Sequence, residues 1–62
     1  MCEANVFLIA DGSEQEIMKE VLSLEIDGTR VIMGDLLGNH KDVQAKVKSI
    51  NFINHKVILE QA

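Results

Sequence analysis

The chain has 62 residues, six basic against ten acidic, for a net charge of −4, with 47% hydrophobic residues and one cysteine. A chain this short makes one domain that buries roughly 60% of its unfolded surface, so its stability is marginal and a staple or partner is expected. Internal disulfides and zinc-spaced Cys/His clusters are excluded by composition, which leaves oligomerisation, most often a two-fold dimer.

The first ten residues, Met1 to Ala10, are expected to form a strand. Extended backbone sends Cys2, Ala4, Val6, Leu8 and Ala10 to one face and Glu3, Asn5, Phe7 and Ile9 to the other. Its second half is apolar on both faces, which suits a strand covered on both sides. Asp11-Gly12-Ser13 supplies turn residues.

Ser13 to Leu24 carries two patterns at once. Ser13 with Glu16 matches a capping box, and Ile17, Met18, Val21 and Leu22 recur at helical spacing. Leu22, Leu24 and Ile26 instead alternate with Ser23 and Glu25, the period of a strand. The favoured reading is a short strand or turn over 14 to 18, room for a helical turn at 18 to 21, and a strand over 21 to 27.

Asp27-Gly28 reads as a two-residue type I′ hairpin, which sets Ile26 opposite Thr29, Glu25 opposite Arg30, Leu24 opposite Val31 and Leu22 opposite Met33. Gly34 reads as a bend in the next strand. Gly38-Asn39-His40 reads as a three-residue loop, because that length opposes Met33 to Ala45 and Val31 to Val47. The apolar residues then change from odd positions (Val43, Ala45, Val47) to even ones (Ile50, Phe52), so a bulge is expected near Lys48-Ser49. Asn54-His55 closes a last hairpin that opposes Phe52 to Val57 and Ile50 to Leu59. The sum is an all-β domain, a small and partly open SH3-like antiparallel barrel of about five strands with a mostly aliphatic core, expected as a homodimer.

Several function classes fall away. Catalysis needs a nucleophile beside an oriented base, and Cys2 has no histidine near it in sequence, while His40 and His55 sit in polar turns where Asn-His tolerates positive φ. The glycines form no phosphate-cradling motif. A net negative charge disfavours nucleic acid, although residues 32–62 are mildly basic, with three acids against four bases. No apolar run is long enough to span a membrane, the start lacks a signal peptide, and a free thiol suits a reducing compartment, so cytoplasmic placement is expected.

Cys2 alone carries distinctive chemistry. Its plain reading is a small buried hydrophobe. If Met1 is removed, however, one residue offers an α-amine and a thiolate, and the Glu3 amide nitrogen follows, giving fused chelate rings. Planar nitrogen and sulfur donors suit Ni(II) or Cu(II). A two-fold axis that joins two first strands would let both Cys2 thiolates share one metal.

The start Met1-Cys2-Glu3-Ala4-Asn5-Val6, the block Glu16 to Val21, the stretch Arg30 to Gly38 and the ending His55 to Leu59 resemble the CooT-type small nickel-binding proteins over nearly the whole chain. The resemblance implies an SH3-like homodimer that binds one Ni(II) per dimer through Cys2 at the interface, as a non-enzymatic metallochaperone or store supplying carbon monoxide dehydrogenase. Cys2 alone matches a family ligand. The alternative is a small RNA-binding or protein-adaptor barrel, in which Lys41, Lys46 and Lys48 would touch phosphates without the help of stacking aromatics.

Overall fold

The computed structural model describes residues 3–62. Five strands follow in order: β1 (Ala4–Ala10), β2 (Ser13–Asp27), β3 (Arg30–Asp35), β4 (His40–Asn51) and β5 (Lys56–Gln61). Each pairs antiparallel with the next, and β5 returns to pair with β1, so the hydrogen bonding closes in a ring rather than leaving the barrel partly open. The closing pair is parallel, Asn5 beside Lys56 through Ile9 beside Glu60. Topology requires this. Five strands joined by four hairpins run up, down, up, down, up, so the first and last must point the same way.

Valines, one alanine, one methionine and one leucine fill the ring. Val6, Val21, Val31, Met33, Ala45, Val57 and Leu59 are buried, with Ile17, Met18, Leu24, Val43 and Val47 packed around them. The core is aliphatic, as two phenylalanines in the whole chain require. Phe52, expected to face inward, is 82% exposed.

Three turns differ from expectation. The type I′ turn lies at Asp11-Gly12, where both central residues have positive φ (54° and 78°) between Ala10 and Ser13. At the second hairpin Asp27 pairs with Arg30, so the loop is Gly28-Thr29 and Leu24 opposes Met33. Positive φ at Gly28 alone of these two is the sign pattern of type II′. The shift of two residues preserves which face each side chain takes, and it breaks the expected Glu25–Arg30 pair; Arg30 bonds Asp42 instead, at 3.0 Å. The third hairpin turns through Leu36–Asn39, which opposes Met33 to Lys41 and Val31 to Val43. Asp35 decides that loop. Its carboxylate accepts the N–H groups of Leu37 (3.0 Å) and Asn39 (2.9 Å) and the Asn39 side-chain amide (2.9 Å), a local bonding pattern that overrides apolar matching. The last hairpin is also four residues long, Phe52–His55, so Ile50 opposes Val57. His55 there has φ 52°, in keeping with a turn role.

Two irregularities shape the ring. β4 carries an extra residue between Val47 and Ser49, the bulge expected near Lys48. β2 is one strand of 15 residues with no helical turn. Its register slips twice against β1, between Met18 and Val21 and between Glu16 and Met18, and once against β3, between Val21 and Ser23. Glu20 lies inside this region with φ 53°. Each extra residue bends the strand, so β2 leaves β1 and joins β3 at Val21, which pairs with both Ala4 and Asp35.

Candidate functional site

The leading end of β1 is held from two sides. The Asn5 N–H donates to the His55 carbonyl at 2.8 Å, and the Asn5 side-chain oxygen accepts the Glu20 N–H at 3.1 Å. Closure of the ring therefore fixes the start of β1. Cys2, the expected thiolate ligand, lies outside the described residues. Glu3, whose amide is the expected further donor, is half-buried.

Three depressions meet at Glu3. A polar cleft of about 650 Å³ is lined by Glu3, Asn5, Glu16, Lys19, Glu20, Asn54 and His55, with the Lys19 ammonium 3.8 Å from Glu16. This places an imidazole beside the amino-terminal end, which the sequence did not suggest, because 50 residues separate His55 from Asn5 and the parallel closure joins them. Among the described residues, no three or more His, Cys, Asp or Glu side chains gather closely enough to hold a metal ion. Those carboxylates make an acidic surround, and a cage would need donors from outside it.

The second depression is an apolar groove of about 430 Å³ between the second half of β2 (Leu22, Leu24, Ile26) and the β4–β5 corner (Ile50, Phe52), with Glu3 and Ala4 at its edge. A smaller hollow beside it is lined by Glu3, Glu20, Leu22 and Leu36. Large apolar side chains left in water cluster here: Ile26 is 63% exposed, Ile50 51% and Phe52 82%. Such clustering marks interaction surfaces.

His40 stands apart from this end. Its Nδ1 lies 2.9 Å from the Gly38 carbonyl and donates to it, and its ring lies against Gly34, so the expected surface role is what it has. The basic side chains are largely engaged. Lys19 pairs with Glu16, Arg30 with Asp42, Lys46 with Glu60 and Lys56 with Glu14. Of six cations this leaves Lys41 and Lys48 without a carboxylate partner among the described residues.

Comparison with known proteins gives three findings. A family described as CO dehydrogenase accessory protein CooT matches residues 1–60. A protein of Archaeoglobus fulgidus described as uncharacterized is 35% identical over 43 residues, covering 69% of this chain and 96% of its own. A crystal structure described as a candidate CooT from Carboxydothermus hydrogenoformans superposes with a TM-score of 0.88 at 24% identity over 98% of both chains, which establishes the likeness of fold.

Proposed function

The chain belongs to the CooT family, whose members are described as accessory proteins of CO dehydrogenase rather than as the enzyme, and from that premise we propose that it delivers or stores Ni(II) for maturation of such an enzyme. The observation that carries this reading is the family match from residue 1, which includes Cys2, joined to a β1 whose start is pinned at the surface between β2 and β5. Nickel is cargo here, not a resident catalytic group. The donors on one chain are the Cys2 thiolate, the α-amine once Met1 is removed and the Glu3 amide nitrogen. A nitrogen and sulfur set of this kind suits square-planar Ni(II), and two chains related by a two-fold axis would complete it with a second thiolate.

The acidic cleft supports the reading. Glu3, Glu16 and Glu20 line the cleft against one lysine, Lys19, so it is net negative and raises the local concentration of divalent cations. Few unpaired cations stand against the alternative of an RNA-binding barrel, since four of six already face carboxylates.

Titration of the purified protein with Ni(II) is the test. Thiolate-to-metal absorption should saturate at one nickel per dimer, and intact mass under native conditions should report Met1 removal and dimer formation together. Cys2→Ser binding nickel as tightly as the parent protein would sink the proposal.

A further inference from the structure

Two of the residues that line the polar cleft, Glu3 and His55, also line the apolar groove, so they stand on the rim where the two depressions meet. The two sides differ in chemistry. Leu22, Leu24, Ile26, Ile50 and Phe52 give the groove the kind of surface that a second copy covers, whereas Glu16, Lys19 and Glu20 line the cleft with charge, which is depleted from the cores of interfaces. Pairing through the groove leaves the cleft as the wet side of Glu3. An ion bound for the amino-terminal donors has its way in there.

The cleft contains one side chain with a nitrogen donor suited to a transition metal. Closure of the barrel brings it there, because Asn5 pairs with Lys56 and the Asn5 N–H donates to the His55 carbonyl at 2.8 Å. His55 thus stands beside a residue only three positions after Cys2. The two histidines also differ in what engages their rings: His40 Nδ1 donates to the Gly38 carbonyl at 2.9 Å, while the His55 ring is exposed and has no hydrogen-bond or ion-pair partner among the described residues. Around it, Glu16 faces Lys19, and Glu3 and Glu20 have no Lys or Arg partner among the described residues.

Since no three such side chains gather closely enough to cage an ion among the described residues, one imidazole in a field of carboxylates holds nickel weakly. Weak holding suits an entry point. The thiol, ammonium and amide of the amino terminus must each give up a proton to bind nickel, and an imidazole that has already taken the ion keeps it at hand while they do. We propose that His55 is the entry ligand for nickel, taking the hydrated ion from the cleft and passing it to the donors at Cys2 and Glu3. The role rests on nickel being the cargo of those donors.

The test uses the full chain with Ni(II) as the probe. Asn tolerates the φ of 52° found at residue 55, so His55→Asn removes the imidazole and keeps the turn, and His40→Asn is the control. In stopped-flow mixing, His55→Asn should slow the rise of thiolate-to-nickel absorption at least about tenfold and slow chelator-driven release by the same factor, because an entry ligand lowers the barrier in both directions. His40→Asn should do neither. In Cys2→Ser, paramagnetic nickel should broaden the NMR signals of His55, Asn54 and Glu20 first, and adding His55→Asn to that variant should abolish the broadening. Unchanged rates in His55→Asn would overturn the proposal, as would broadening centred on His40 or persisting without the His55 ring. So would faster release from His55→Asn, which would make the ring a resident ligand. A parent protein that takes no nickel removes the cargo reading itself, whereas a protein that loads equally fast without the ring removes the entry role alone.

Discussion

The Asn5 side chain holds the backbone of Glu20. Its oxygen accepts the Glu20 N–H at 3.1 Å, while Glu20 stands in the left-handed region at φ 53°, where a residue with a Cβ costs roughly 1–2 kcal/mol. The bond joins the first strand to the corner at which β2 changes partner. Asn5→Ala should therefore destabilise the fold by about 0.5–1.5 kcal/mol, the net value of one hydrogen bond. Glu20→Gly should be nearly neutral, because relief of the left-handed strain is offset by the extra freedom of glycine in the unfolded chain. Urea denaturation of both variants checks the ordering; a Glu20→Gly protein less stable than Asn5→Ala would contradict it.

How much of this could be read from the residues depends on whether a signal was local. The turn at Asp11-Gly12, the aliphatic core and the β4 bulge near Lys48 were all legible, because each rests on neighbours within a few positions. The corner in β2 was not. Ile17, Met18 and Val21 all pack inward because extra residues enter the strand between them, and the resulting spacing imitates a helix. Registers slipped by two or four residues for a related reason. Face parity constrains them only in steps of two, and turn chemistry selects among the steps. Near the candidate site, Glu3 could be named from its place after Cys2, whereas His55 and the apolar groove depend on ring closure between distant segments.

Asp35 gives a prediction in pH. Hydrogen bonding from the Asn39 side chain, then from the Asn39 and Leu37 amides, with a smaller contribution from His40, holds its carboxyl below the ordinary 3.8 against some desolvation. A depressed folded value means that the loop's order is present above the ordinary carboxylate range and is lost as pH falls through Asp35's own lower value. The amide resonances of Leu37 and Asn39 should move together on acidification, with a common midpoint below 3.8. Midpoints above that value would refute the assignment, and in Asp35→Ala the acid transition should vanish because the loop is already loosened.

Gly34 should resist substitution because of its neighbours. A Cβ there would lie 2.9 Å from the Ser23 hydroxyl oxygen and 3.4 Å from the His40 ring, so something must shift. The Ser23 hydroxyl can rotate, which keeps the overpacking cost of Gly34→Ala near the low end of about 1–3 kcal/mol. In a Ser23→Ala background the cost should fall by at least about 0.5 kcal/mol, the coupling expected of side chains in contact. Thermal melts of the two single variants and the double variant decide it, and strict additivity would mean that Ser23 is not the obstacle.

The last prediction concerns the amine rather than the thiolate. If nickel is held by a chelate that starts at the amino terminus, the α-amine must be on Cys2 itself, because only then do amine and thiolate close one small ring with the metal. Four residues added ahead of Cys2, with the upstream methionine removed, would keep the thiolate and the Glu3 amide but carry the amine too far from the thiolate for fused chelate rings to join them. The nickel complex should then weaken by at least about tenfold, equivalent to 1.4 kcal/mol, and its absorption should shift, while the urea midpoint of the metal-free protein stays unchanged. Acetylation of the native terminus should act in the same direction, since an acetylated nitrogen is no longer a basic donor. Should the extended protein bind nickel with the affinity and spectrum of the parent, the amine is no ligand and the metal would have to draw its nitrogen donors from the peptide backbone beyond Cys2 or from His55, whose ring lines the same cleft as Glu3.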